Sequence, residues 1–279
     1  MAERPVSVVG AGTLGRRIAL MWASQGGEVR LYDPDAGQLA NAKQFILDEM
    51  PAVIDQFGGR PGPVFTDDDL DSLVRNAWMV VEAVPERLDL KQELFGRLDE
   101  TAPADAILAS NSSSFPTSQM IGQVSRPERV LNTHYYLPPR LNAVEIMSCG
   151  CTDPAIIDRL LGLMPQHGLI PFHVQQESVG FIYNRIWAAI KREALKVMAE
   201  GISTPADVDE LFKLCTGAPI GPFRRMDEVG LDVVLAIEEH YADVYPSIPE
   251  GPRTLLREYV NRGALGKKVA RGFYDDYND

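Results

Sequence analysis

The chain has 279 residues and a mass of 30.8 kDa, enough for one large domain or two of ordinary size. Its 45% hydrophobic and 24% charged residues are a globular composition, which excludes a collagenous, low-complexity or globally disordered chain. Lys+Arg 27 against Asp+Glu 39 leaves a formal charge of -12, which repels nucleic acid and anionic lipid surfaces. No stretch approaches the roughly 18 to 20 apolar residues of a membrane span, and the first residues lack the layout of a signal peptide. The expectation is a cytoplasmic protein that engages neither nucleic acid nor membrane. Cys149, Cys151 and Cys215 have no second Cys or His pair at ligand spacing, so reduced thiols and no metal site are expected.

In chain order, short β-branched runs alternate with helix-like segments up to about residue 175, the pattern of repeated βαβ units and a parallel sheet. The runs are Val6 to Val9, Val29 to Tyr32, Met79 to Ala83, Ala106 to Ala109, Val130 to Thr133 and Val144 to Met147. Between or after them, Gly15 to Gln25, Leu88 to Leu98 and Ala155 to Met164 have amphipathic helical spacing. After Ser178 the strand signal stops. Phe181 to Ala199, Pro205 to Cys215, Leu231 to Tyr245 and Thr254 to Asn261 then read as helices. Asp207, Asp209 and the Gly-Pro pairs at 221–222 and 251–252 read as caps and breakers of those helices. The fold class that follows is α/β: a Rossmann-type doubly wound parallel sheet over residues 1–177, then an all-helical domain over 178–279, with a hinge near Gln175 to Gly180.

The segment Gly10-Ala-Gly12-Thr13-Leu14-Gly15 follows the first strand and opens an apolar-periodic helix. In that setting the first Gly makes a tight turn, the second admits a pyrophosphate to the backbone, and the third lets helix pack on strand. The helix N-terminus offers free N–H groups and a positive dipole end to phosphate. The second strand ends in Asp33, where a carboxylate accepts from a ribose hydroxyl. A 2′-phosphate beside Asp33 and Asp35, with no adjacent Arg, would meet like charge, so NAD is expected rather than NADP.

Further segments carry a resemblance along essentially the whole chain. They are Val80-Val-Glu-Ala-Val-Pro-Glu86 with Lys91, Ser110-Asn-Ser-Ser-Ser114, Asn132-Thr-His134 with Ala143-Val-Glu145, and Gly180-Phe-Ile-Tyr-Asn184-Arg185. Near the C-terminus, Gly217-Ala-Pro-Ile-Gly-Pro-Phe223 and Gly266-Lys-Lys-Val-Ala-Arg-Gly-Phe-Tyr274 extend it. Together with the glycine motif these resemble the L-3-hydroxyacyl-CoA dehydrogenases. The resemblance implies that His134 is the catalytic base and Glu145 its orienting carboxylate, while Ser113 and Asn184 hold the reacting oxygen. It places Glu86, Lys91, Asn111 and Ser113 near the nicotinamide end of the cofactor, and it implies a homodimer formed through the helical domain.

The implied chemistry suits these residue types. Oxidising a secondary alcohol needs a base for the hydroxyl proton as hydride leaves carbon, and the imidazole pKa of about 6.5 fits that task. A carboxylate on the other ring nitrogen fixes the tautomer. His167, His173 and His240 lack comparable company and read as structural.

Two departures from the family pattern bear on the substrate. Leu137 stands where the family commonly has Asn, and the helical arm from Ala36 to Pro63 carries only Lys43 and Arg60 against Asp48, Glu49 and Asp55. An acidic arm steers a polyanionic CoA poorly. Val84 to Lys91 and Val174-Gln-Gln-Glu177 also resemble the L-gulonate dehydrogenase and lambda-crystallin branch, for which Arg140 or Arg185 would meet a substrate carboxylate. The first expectation is a short-chain 3-hydroxyacyl-CoA as the small-molecule substrate. A free hydroxy acid or specialised keto compound is the alternative, and a crystallin-like NAD-binding protein without turnover is the third.

Overall fold

The structure is a computed structural model and describes residues 4–277. It divides into two compact units, the first ending at Ile182 and the second beginning at Tyr183. The first holds β1 (Val6–Val9), α1 (Thr13–Ala23), β2 (Val29–Tyr32), α2 (Ala36–Phe57), β3 (Val64–Asp67), α3 (Leu70–Val74) and β4 (Met79–Glu82). It continues with α4 (Leu88–Thr101), β5 (Ile107–Ser110), β6 (Val130–Leu137), β7 (Leu141–Ser148), α5 (Pro154–Leu163) and β8 (Ile170–Val174). The strands form one sheet in the order β3-β2-β1-β4-β5-β6-β7-β8. Every neighbouring pair is parallel except β6 and β7, which run antiparallel.

Alternation along the buried strands builds a core on each face, as a doubly wound sheet requires. Val6 and Val8, Met79 and Val81, and Ile107 and Ala109 point into one cluster with α1, α2 and α5. Val9, Val80 and Leu108 point into the other, against α3 and α4. Ser7, on the second face, is fully buried and donates to the Leu73 carbonyl at 2.9 Å, so this strand carries one polar group at no cost in unmade hydrogen bonds.

The sheet has two strands beyond the six runs expected. β3 lies at one edge, beginning just after Gly62 and Pro63, and β8 lies at the other and contains Pro171. Proline is compatible with a strand at a sheet edge, where its missing donor costs no ladder bond. The arm after β2 is a single 22-residue helix capped by Asp35, whose Oδ1 accepts from Gly37 and Gln38.

The second unit contains α6 (Tyr183–Ala199), α7 (Pro205–Thr216), α8 (Pro222–Val229), α9 (Leu231–Val244) and α10 (Gly251–Asn261), packed around Leu195, Phe223, Met226 and Leu256. The two C-terminal motifs build this packing. Asp209, on α7, accepts from the backbone N–H groups of Phe223 and Arg224 at 2.8 Å each. It therefore caps α8 rather than its own helix, whose cap is Thr204. A Cβ on Gly221 would stand 2.3 Å from the Asp209 carboxyl carbon, which explains the glycine. Asp227 likewise accepts from the Phe273 and Tyr274 N–H groups and from the Tyr277 hydroxyl, tying down the last segment.

Candidate active site

The dinucleotide loop lies where β1 meets α1. Gly10 has φ +105°, and a Cβ there would stand 2.5 Å from the Ala83 carbonyl oxygen. A Cβ on Gly15 would stand 1.7 Å from the Gly10 carbonyl oxygen, so helix and loop touch there. Gly12 differs: its φ is an ordinary -65° and a Cβ would meet no protein atom within 4 Å. Gly12 lines a cavity of about 850 Å³ together with Gly10, Thr13, Leu14, Asp33, Glu86, Lys91 and Asn111. The space a side chain would take at Gly12 is thus ligand space, and the residues fit a dinucleotide. Asp33 is held at the cavity edge, its two carboxylate oxygens accepting from Ala11 N–H at 2.8 Å and Asp35 N–H at 3.0 Å.

Below the cavity lies a charged network whose centre the sequence reading did not single out. Glu82, at the end of β4, is 0% exposed and Lys91 only 1%. The ammonium stands 2.6 Å from Glu82 Oε1 and 3.2 Å from Glu86. Glu82 also accepts from the Ser110 hydroxyl at 2.6 Å and from Val84 N–H at 2.8 Å. Burial pushes its carboxyl above the ordinary value, against the pull of Lys91 and Ser110. Glu86 moves the other way. Burial acts upward on it too, but Lys91 and the donors from Ser112 and Ser114 hold it below the usual carboxylate range. The legible signal for Glu82 was a carboxylate inside an otherwise apolar strand, which must be paired when buried.

His134 and Glu145 face each other directly across the β6–β7 ladder. Opposed residues of an antiparallel pair share a face, and here Nδ1 lies 3.0 Å from Glu145 Oε2 with His134 only 7% exposed. An ionised carboxylate only accepts, so this contact selects the tautomer in which Nδ1 is the donor and Nε2 faces away from Glu145. Glu145 is held in turn by the Tyr136 hydroxyl at 2.9 Å and by Ile182 N–H at 2.9 Å. The rings of Tyr136 and Phe181 lie 4.7 and 5.0 Å from the imidazole centroid. Tyr136 was not singled out, although a polar residue two positions along the same strand shares the face of His134.

Asn111 ties the two parts together. Its N–H donates to the Glu82 carbonyl at 2.8 Å, and its side-chain oxygen accepts from Tyr135 N–H at 2.9 Å, beside His134. Within the serine run it is Ser112 that bonds Glu86, at 2.6 Å; Ser113 is half-buried next to it. Asn184 is half-buried in the first turn of α6, in the second unit. Leu137 closes β6. Among the described residues no cluster of three or more His, Cys, Asp or Glu is arranged to hold a metal ion, and no helix is long and apolar enough to cross a membrane.

The family models of the 3-hydroxyacyl-CoA dehydrogenase NAD binding domain and C-terminal domain match residues 5–178 and 180–276. A probable 3-hydroxybutyryl-CoA dehydrogenase of Bacillus subtilis is 32% identical over 290 residues, covering 99% of this chain and 98% of its own length. The human lambda-crystallin homolog is 33% identical over 277 residues, covering 92% and 86%. The solved structure of the (S)-3-hydroxybutyryl-CoA dehydrogenase of Ralstonia eutropha superposes with a TM-score of 0.87 at 30% identity, covering 97% of this chain and 98% of that one. With NAD as its cofactor, this chain belongs to the 3-hydroxyacyl-CoA dehydrogenase family.

Proposed function

We propose that the protein interconverts a 3-hydroxy and a 3-keto group by hydride transfer, acting on a short-chain 3-hydroxyacyl-CoA, with His134 as the catalytic base. The observation that carries this reading is the His134–Glu145 pair, which leaves Nε2 free to take a proton. NAD, when bound, supplies the hydride acceptor. In the oxidising direction the substrate hydroxyl proton moves to Nε2 as hydride leaves carbon, and Glu145 stabilises the imidazolium that forms. In the reducing direction the imidazolium returns that proton to the developing alkoxide. Ser113 donates to the reacting oxygen, and Glu86, Lys91 and Asn111 shape the nicotinamide end of the cavity. The N-terminal unit holds the cofactor, the helical unit carries the dimer contact, and the site of action is the cytoplasm.

A second reading, a free hydroxy acid as substrate, is favoured by one observation. α2 presents Asp48 and Asp55 to solvent, with the half-buried Glu49 between them and Lys43 as the helix's one cation, and such a surface repels the phosphates of CoA. NADH formation, followed by absorbance with (S)-3-hydroxybutyryl-CoA, 3-hydroxybutyrate and L-gulonate in parallel, separates the readings. Turnover with the thioester at least about tenfold faster than with either free acid is the expected result. Turnover confined to the free acids rejects the CoA substrate, and cofactor binding without turnover on any of them rejects the enzyme.

A further inference from the structure

The strands of the Rossmann sheet end at the dinucleotide cavity; at their beginnings lies a second cavity, of about 560 Å³. Val6 and Trp78, at the starts of β1 and β4, line it. A four-residue strand spans about 13 Å, so the two cavities open on opposite edges of the sheet. The second volume is within the usual range for a small-molecule site.

Its lining is aromatic and cationic. Trp22 and Trp78 meet edge to face at 5.7 Å, and the His167 ring lies 4.3 Å from that of Trp22. The Arg159 guanidinium sits 4.5 Å over the Trp78 ring. Arg60 crosses Gly26, where φ is +84° and a Cβ would stand 2.6 Å from the arginine Nε. Arg4 and Glu28, which also line the cavity, are neutralised by Asp105 and Arg30 at 2.7 Å each. Arg60 and Arg159 form no ion pair among the described residues, although the Asp105 carboxylate also acts on Arg159 at longer range. The lining thus carries Arg4, Arg60 and Arg159 against Glu28, an excess of positive charge in a chain whose formal charge is -12.

Gly162, the penultimate residue of α5, is exposed at the rim of the cavity, and a Cβ there would meet no protein atom within 4 Å. A larger side chain at this position would therefore reach into the cavity without clashing.

We infer that this cavity is a second binding site, for a small planar aromatic anion whose ring lies along the Arg159 guanidinium stacked on Trp78 and whose carboxylate or phosphate is met by Arg60. Both attractions are ordinary for such a ligand: ring against guanidinium, with guanidinium to oxyanion as a charge-assisted pair. Because the site lies away from the glycine loop, binding there does not compete with NAD.

The test uses the full chain saturated with NAD, which keeps a nucleotide probe out of the first cavity. The indole N–H resonances are followed while 1-naphthoate, and separately AMP, is added. Saturable shifts of the Trp22 and Trp78 signals, with Trp187 unmoved, are expected for at least one probe; the one that responds tells carboxylate from phosphate. Arg159→Leu weakens the response at least about tenfold, the loss expected for removing a charge-assisted contact. Gly162→Leu fills the space while improving helix propensity, so it abolishes the shifts but retains the wild-type melting temperature and dehydrogenase turnover. The absence of a saturable shift with either anion up to about 10 mM overturns the inference. So does a response that Gly162→Leu leaves unchanged.

Discussion

His134 and Glu145 are separated by eleven positions in the chain and brought to 3.0 Å by ladder register alone. A one-residue slip would turn one of the two to the other face. Their residue types were legible from the resemblance, and their pairing follows from two strands lying opposite each other. Glu82 and Tyr136 were less legible because their partners, Lys91 and Glu145, become neighbours only in the folded sheet. The same holds for Asp99, which is buried against Arg129 at 2.7 Å and accepts from Ser125. Burial acts upward on the Asp99 carboxyl, but the hydrogen bonds from Ser125 and Arg129 outweigh it and hold the carboxyl below the ordinary value. A depressed native pKa means stability that is complete above the unfolded value of about 3.9 and lost as pH falls through the native one. Asp99→Asn should cost about 3 kcal/mol at pH 7, as breaking a buried pair does. In thermal melts the gap from wild type should narrow steadily below about pH 4; a gap independent of pH would refute the assignment.

At the scale of elements, the glycine loop, the order of strand and helix in the first unit, and most helices of the second were readable from period and punctuation. What escaped has identifiable causes. β3 carries an exposed Phe65 at a sheet edge, and β8 mixes Pro171 and His173 into its apolar residues, so neither shows a buried-strand run. α8 starts at a Gly-Pro pair that reads as a breaker, whereas Pro at the first helical position begins a helix. The loop itself yields a prediction that separates packing from binding. Gly15→Ala forces a Cβ to within 1.7 Å of the Gly10 oxygen and should cost about 1 to 3 kcal/mol of stability, as overpacking does. Gly12→Ala meets open space and should stay within about 0.5 kcal/mol of wild type while raising the KM for NAD at least about tenfold. Equal losses of stability in the two variants would contradict the division of roles.

For the whole molecule, the net charge of -12 and the proposed dinucleotide site are compatible, because a helix terminus and a glycine loop meet phosphate locally. The strand signal in the sequence stops after Ser178, and the two compact units divide at Ile182 and Tyr183. The proposed dimer has a candidate face on the second unit: Leu211 and Leu214, one turn apart on α7, are 63% and 74% exposed. Sedimentation should give twice the mass of the 30.8 kDa chain, and Leu211→Glu with Leu214→Glu should give the monomer. A wild-type monomer at micromolar concentration would remove the dimer from the account.

The central claim, that His134 is the base of an NAD-linked hydride transfer, is tested most directly by His134→Ala with (S)-3-hydroxybutyryl-CoA, measuring kcat beside the Kd for NADH. The account predicts that kcat falls by roughly 10²-fold or more while NADH binding stays at the wild-type level, since the glycine loop and Asp33 are untouched. A variant that turns over near the wild-type rate with intact cofactor binding would contradict it.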